Sequence, residues 1–142
     1  MTASLSLETS VTINAARARV FAAWTKPEII RQWFAPGPMT VAAAHADPRP
    51  GGTYSIAMKG EEGSPTVIGE YQDVVANERL VFTWGWEGDP SPATLVTVTF
   101  KDAKTGTEVT LKHERFTDEK SRDMHKQGWD GCLANLTRQL AA

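Results

Sequence analysis

The chain has 142 residues, of which 41% are hydrophobic and 23% charged, and its formal net charge is −2. This length gives about one domain with one core, and the composition excludes disordered, collagen-like and coiled-coil classes. Residues 1–60 hold six Lys and Arg against three acids, and residues 61–142 hold nine against fourteen, so neither half is a basic surface for nucleic acid. Five of the twelve aromatic residues are tryptophans, a large number for a small domain.

The single cysteine and the N-terminal sequence bear on the cellular compartment. Because Cys132 is the only cysteine in the sequence, an internal disulfide framework and a four-thiolate zinc site are excluded. A single cysteine is typical of a protein from a reducing compartment. The N-terminus MTASLSLETSV has no basic stretch followed by an apolar run, so it does not predict a signal peptide. No window reaches the roughly 18 apolar residues of a membrane span. We therefore expect a cytoplasmic protein with one domain over residues 1–142.

The first third of the chain predicts one strand and two short helices. Apolar residues alternate with polar ones over residues 5–13, which is the period of a half-buried strand. Asn14 is placed to cap a helix with apolar residues at helical spacing: Ala16, Val20, Phe21 and Trp24. Thr25 is placed to cap a second helix with Pro27 in its first turn. Its apolar stripe is Ile29, Ile30, Trp33 and Phe34, and Pro36-Gly37-Pro38 ends it.

The middle of the chain predicts strands joined by short turns. The expected strands are 39–46, 53–59, 66–75, 79–86, 94–101 and 107–114. Their spacing of about a dozen residues favours an antiparallel meander over strand-helix-strand units.

A long amphipathic helix is predicted at the C-terminus. It opens at Thr117-Asp118-Glu119, a capping residue followed by acids, and its apolar face repeats at helical spacing: Trp129, Cys132, Leu133, Leu136 and Leu140. Gly128 and Gly131 lie inside this helix at a cost of about 1 kcal/mol each relative to alanine. We expect a close approach of another element, or a local bend, at these glycines.

This element order predicts an α+β fold in which a curved antiparallel sheet of about seven strands wraps around the final helix, with two short helices after strand one. Such a sheet leaves a cavity between itself and the helix. Three strands present large side chains on one face: Tyr54, Ile56 and Met58; Leu80, Phe82, Trp84 and Trp86; Val109, Leu111 and His113.

Several motifs in sequence order carry a family resemblance from about residue 8 to residue 140. They are Ala18-Arg19-Val20-Phe21-Ala22-Ala23-Trp24, Ile30-Arg31-Gln32-Trp33-Phe34, Gly51-Gly52-Thr53-Tyr54, Gly69-Glu70-Tyr71, Glu78-Arg79-Leu80-Val81-Phe82-Thr83-Trp84, Leu111-Lys112-His113-Glu114 and Gly128-Trp129. The chain resembles the SRPBCC (START/Bet v 1-like) superfamily and, within it, the branch named for the activator of Hsp90 ATPase. The resemblance implies a helix-grip fold whose concave sheet face and C-terminal helix enclose an apolar pocket.

Ten residues are candidates for lining that pocket, mostly aromatic or sulfur-containing side chains expected to point inward. For any one of them plain core packing is the favoured role, but together they favour a cavity. The candidates are Trp33, Tyr54, Met58, Tyr71, Trp84, Trp86, His113, Met124, Trp129 and Cys132.

The titratable residues define no catalytic centre and no cofactor or metal site. His113 is either a buried, hydrogen-bonded core residue, a polar anchor for a ligand, or a proton-transfer group beside Tyr54 or Glu70. Convergence of His113, His125 and Cys132 would make a metal site, but no close ligand pair or zinc spacing supports it. Cys132 is expected to be a small buried hydrophobe and not a nucleophile.

Three functions remain open at this level. The favoured one is binding of a small hydrophobic ligand, aromatic or lipid-like, in the internal cavity. An Hsp90-type co-chaperone or stress-response role is disfavoured because 142 residues leave no room for the extra N-terminal domain that accompanies this domain in the eukaryotic activator. An enzyme such as a cyclase or hydrolase would use the same cavity, though no constellation of residues fixes a reaction. A homodimer is also open.

Overall fold

A computed structural model describes residues 5–35, 38–61 and 63–141 of the chain. It contains seven strands: β1 (Leu5–Ile13), β2 (Thr40–Ala46), β3 (Thr53–Lys59), β4 (Thr66–Val75), β5 (Arg79–Trp86), β6 (Thr94–Ala103) and β7 (Gly106–Phe116). The helices are α1 (Arg17–Thr25), α2 (Pro27–Ile30) and α3 (Glu119–Ala141). The predicted α+β architecture with a long C-terminal helix is confirmed.

All seven strands form one antiparallel sheet in the order β1-β7-β6-β5-β4-β3-β2. Strands β2 to β7 form the expected meander, and β1 is joined to it by pairing with β7. The register shifts between Leu5 and Ser6, between Val41 and Ala43, and between Tyr71 and Asp73. Such bulges bend a strand and increase its twist, so they account for the curl of the sheet around α3.

The core lies between the concave face of the sheet and α3. Alternate residues of β3 are buried, as are alternate residues of β5 and β7, because successive strand side chains point to opposite faces. The predicted apolar face of α3 is confirmed: Trp129, Cys132, Leu133, Leu136 and Leu140 are all buried. This face packs against β1 and β7.

Two of the predicted helix caps are wrong. Residue Ala16, and not Asn14, precedes α1, because the Ala15 N–H donates to the Ile13 carbonyl in a tight turn before the helix begins. Thr25 does not cap α2, because its hydroxyl donates back to the Phe21 carbonyl. Lys26 precedes α2, and Pro27 occupies the first turn as expected. The predicted helix stop includes Pro36 and Gly37, which lie outside the described residues.

At the start of α3, the side chain of Asp118 accepts a hydrogen bond from the Lys120 N–H at 3.1 Å. This contact satisfies one of the free amides of the first turn. No helix in the described part of the chain combines the length and apolar composition required to cross a membrane.

Candidate functional site

An apolar cavity of about 190 Å³ lies between the sheet and the N-terminal half of α3. Strands β3 and β5 form one wall, α3 forms the other, and Phe34 and Met39 lie at one side. Pro65 and Met124 are exposed at the rim, whereas Trp84 and Trp129 are buried. The lining residues are Phe34, Met39, Met58, Pro65, Trp84, Trp86, Met124, His125, Gly128, Trp129 and Cys132.

Helix α3 reaches the cavity through one stripe of its surface. Residues 124, 125, 128, 129 and 132 follow the helical repeat and therefore share a face. A Cβ built on Gly128 would meet no atom of the described residues within 4 Å. The close approach of another element that we expected at Gly128 is therefore wrong. This glycine leaves the space that a side chain would otherwise occupy.

Six of the ten residues that the sequence indicates line this cavity: Met58, Trp84, Trp86, Met124, Trp129 and Cys132. Burial raises the pKa of the Cys132 thiol from 9.0 to about 12, so this group is neutral near neutral pH. Cys132 and His125 are the cysteine and the histidine of the wall. No Asp, Glu, Lys or Arg side chain lies beside them among the described lining residues.

Three further candidates line a separate space. Trp33, Tyr54 and Tyr71 surround a gap of about 20 Å³ deeper under α2, which is room for about one water molecule. The Tyr54 hydroxyl donates to the Thr83 carbonyl at 2.6 Å, and burial raises the Tyr54 pKa well above 10. Burial, aided by Asp47, raises the Tyr71 pKa to about 12. These tyrosines are therefore neutral core residues.

The last candidate, His113, lines neither space. It is fully buried, and its Nδ1 accepts a hydrogen bond from Trp129 Nε1 at 3.1 Å. Its Nε2 therefore carries the proton and donates to Thr94 Oγ1 at 2.6 Å, while the Thr94 hydroxyl donates to the Trp84 carbonyl at 3.2 Å. Burial, with a smaller effect of His125, lowers the His113 pKa from 6.5 to about 3.

The histidine on the cavity wall is His125. Its Nδ1 lies 2.7 Å from the Ser121 carbonyl, which only accepts, so Nδ1 carries the proton. Its Nε2 is then the acceptor for Trp86 Nε1 at 3.4 Å. The sequence does not indicate His125 as a lining residue, because helical spacing does not tell whether a residue at the edge of an apolar stripe is exposed.

The catalytic and metal arrangements that the sequence left open are not assembled. Both nitrogens of His113 have partners, the Tyr54 hydroxyl is bonded to backbone, and Glu70 is exposed on the outer face of β4. The rings of His113 and His125 are 5.3 Å apart. Nevertheless, no group of three or more His, Cys, Asp or Glu residues suited to a metal ion occurs among the described residues.

All five tryptophans form one continuous series from the turn after α2 to the cavity. The distance between ring centroids is 4.7 Å for Trp33 and Trp24, and 6.0 Å for Trp24 and Trp129. It is 5.0 Å for Trp129 and Trp84, and 5.6 Å for Trp84 and Trp86. The indole N–H groups differ in their partners. Trp24 and Trp84 have buried N–H groups without an acceptor in the described part of the chain.

Sequence reasoning missed five lining residues: Phe34, Met39, Pro65, His125 and Gly128. Phe34 was recognised as part of an inward stripe but not assigned to the cavity. Met39 and Pro65 come from connections, whose path over the end of the sheet is not encoded in hydrophobic periodicity. The one available signal was Gly128, an unfavourable helix residue without a packing role.

Comparison with known families gives one match over most of the chain. The model described as "Activator of Hsp90 ATPase homolog 1-like protein" matches residues 14–141. No curated protein matches the sequence.

Solved structures from several bacteria share the fold. A protein from Chromobacterium violaceum has a TM-score of 0.88 at 20% identity, with 96% of this chain and 97% of that chain covered. The AHSA1 protein from Silicibacter pomeroyi has a TM-score of 0.86 at 25% identity, with 96% and 98% covered. A protein from Rhizobium leguminosarum has a TM-score of 0.83 at 29% identity, with 96% and 94% covered.

Proposed function

We propose that this chain, which belongs to the Activator of Hsp90 ATPase homolog 1-like family, binds a small, uncharged aromatic molecule in the cavity between β5 and α3. The observation that carries the proposal is the lining itself. Three indole rings and three thioethers form most of the wall: Trp84, Trp86, Trp129, Met39, Met58 and Met124. Indoles give flat apolar area, and methionines adapt to the outline of a guest.

The volume limits the size of the ligand. A cavity of about 150 Å³ lined by apolar side chains binds benzene in another protein. At about 190 Å³, this cavity holds about one substituted aromatic ring. A long acyl chain requires more space, so the volume favours the aromatic alternative over the lipid-like one.

The charge of the wall limits the chemistry of the ligand. None of the lining residues in the described part of the chain is Asp, Glu, Lys or Arg, and the Cys132 thiol is neutral because its pKa is raised to about 12. A charged group transferred from water into this wall would lose its hydration without gaining a counter-ion. The cavity therefore favours an uncharged guest.

The experiment is an NMR titration of the isotope-labelled protein with p-xylene. We expect saturable shifts of the backbone amides of α3 around Gly128 and of β5 around Trp84. The variant Gly128→Leu places a side chain in the cavity and is expected to abolish these shifts. Gln127→Leu, which adds the same side chain at an exposed neighbouring position, is the matched control and keeps them. Absence of saturable binding of p-xylene and of related para-substituted toluenes to the unsubstituted protein contradicts the proposal.

The family description itself favours a second candidate function, contact with an Hsp90-type ATPase. The test is the ATP hydrolysis rate of a bacterial Hsp90 with and without this chain. A stimulation that Gly128→Leu leaves unchanged favours this second function, because a surface contact does not depend on an open cavity. A stimulation that disappears with Gly128→Leu would connect the two functions.

A further inference from the structure

The apolar cavity contains one pair of polar side-chain atoms that face each other across its wall. Trp86 Nε1 and His125 Nε2 lie 3.4 Å apart, which is long for a hydrogen bond between nitrogens. Both side chains are half-buried, and Trp86 is the last residue of β5. The hydrogen bond between the two side chains is therefore weak, and it lies beside the space that a ligand would fill.

The hydrogen-bonding roles of the two atoms are fixed by their surroundings. An indole nitrogen only donates. His125 Nδ1 donates to the Ser121 carbonyl at 2.7 Å, so Nε2 presents a lone pair. A group that fits between them must accept from one nitrogen and donate to the other.

We infer that the ligand is a phenol, whose hydroxyl oxygen accepts a hydrogen bond from Trp86 Nε1 and whose hydroxyl proton is donated to His125 Nε2. This inference rests on the proposed function and adds the chemical class of the ligand. The ring occupies the apolar space beside Trp84 and Met58, and the hydroxyl replaces one long contact with two hydrogen bonds of ordinary length. The two nitrogens separate to admit the oxygen.

Three other common substituents, a carboxylate, an ammonium group and an aryl ether, satisfy only half of this pair. A carboxylate accepts from the indole but has no proton for the lone pair of His125, and the described lining residues include no Lys or Arg to balance its charge. An ammonium group donates to His125 but cannot accept from Trp86. An aryl ether accepts from Trp86 and leaves His125 unpaired. A phenolic hydroxyl, which is uncharged near neutral pH, satisfies both atoms.

Three para-substituted toluenes test the inference: p-cresol and p-xylene, which have the same shape, and 4-methylanisole, which is longer by one atom. They share a para-substituted ring and differ in carrying a hydroxyl, a methyl or a methoxy group. We expect p-cresol to bind about ten-fold more tightly than either of the others, measured as the dissociation constant in NMR titrations. If p-xylene binds and p-cresol binds no more tightly, the inference is wrong and the proposed function stands. If none of the three binds, the proposed function itself fails.

Two variants locate the preference. Trp86→Phe removes the donor, and His125→Phe removes the acceptor, while both keep an aromatic ring in the wall. In each variant we expect p-cresol to lose its about ten-fold advantage over p-xylene. His45→Phe, the same change at an exposed histidine of β2, is the matched control and keeps the preference. An undiminished preference in both wall variants overturns the inference. If a variant does not fold, the comparison of the three ligands on the unsubstituted protein still decides.

Discussion

The indole of Trp129 donates a hydrogen bond to His113 Nδ1 at 3.1 Å, so a residue of the cavity wall also holds the buried histidine behind it. The imidazole of His113 has no contact with the cavity and has a partner at each nitrogen. This arrangement makes His113 a structural residue whose protonation state is fixed by its neighbours. It also predicts unequal consequences for otherwise similar tryptophan substitutions.

Trp129→Phe is expected to destabilise the protein by about 1–3 kcal/mol more than Trp84→Phe. Both tryptophans are buried and both lose a similar ring area. The first substitution leaves His113 Nδ1 as a buried acceptor without its donor, whereas the second removes an N–H that has no acceptor among the described residues. Urea unfolding followed by circular dichroism measures the difference. Equal losses for the two variants would show that the Trp129–His113 bond contributes nothing to stability.

His113 is expected to make stability depend on pH in the acidic range. Its pKa is lowered from 6.5 to about 3, so the unfolded chain binds a proton between these values and the folded chain does not. The free energy of unfolding therefore falls as the pH drops from about 6.5 towards 3, by at most about 1.4 kcal/mol per pH unit. Above 6.5 both states are neutral at this residue, and its contribution is constant.

The measurement for His113 is urea unfolding between pH 4.5 and 7, compared with the variant His113→Gln. The variant retains a donor and an acceptor but does not titrate, so its unfolding free energy should fall less steeply in acid. Nitrogen chemical shifts of the imidazole provide an independent check. Protonation of His113 in the folded protein near pH 6.5 would contradict this prediction.

Gly69→Ala is expected to destabilise the protein by about 2–4 kcal/mol. A Cβ at Gly69 would lie 2.0 Å from the Thr83 carbonyl oxygen and 2.5 Å from the ring of Tyr54, which crosses this glycine to reach Thr83. The Thr83 backbone and the buried Tyr54 ring cannot both move far enough to make room for this Cβ. Gly85→Ala is the matched control in the adjoining strand, because its Cβ would meet only one atom, at 4.0 Å. We expect a change within about 0.5 kcal/mol there, and similar losses at the two positions would refute the steric explanation.

Cys132 is expected to react slowly with thiol reagents in the folded protein. Burial raises its pKa from 9.0 to about 12, which reduces the thiolate fraction at pH 8 by about 1000-fold. The rate of alkylation by iodoacetamide, followed by mass spectrometry, measures this reactivity. Protein unfolded in urea is the control and should react as a free thiol does. Rapid alkylation of the folded protein would indicate an accessible, ionised thiol.

The elements of this fold were accessible from the sequence because their periodicity is local. The alternation at Tyr54, Ile56 and Met58 placed β3 and its buried face, and helical spacing placed α3. The cavity was only partly accessible. Tyr54 and Trp84 both point inward, but whether an inward residue borders open space or filled core depends on what the opposite layer supplies. Gly128 supplies the space at Trp84, whereas Tyr71 and Phe82 fill it at Tyr54.

The sequence indicates His113 as a lining residue, whereas the structure has His125 in the wall. This difference also arises because sequence periodicity does not show what packs on the opposite side of a residue. His113 and His125 are 12 residues apart in sequence, and their rings pack 5.3 Å apart in the fold. Trp129, which lines the cavity, donates a hydrogen bond to His113, which does not. The periodicity of the sequence does not tell on which side of Trp129 a histidine ring lies.

The unbroken series of five tryptophans gives the protein an optical property. With ring centroids 4.7 to 6.0 Å apart, excitation absorbed by any one indole can migrate to the others before it is emitted. The emission of the protein is therefore a collective signal whose last members, Trp84 and Trp86, border the cavity. A ligand that quenches Trp86 would therefore lower the fluorescence emission of all five tryptophans, including Trp33 at the far end of the series.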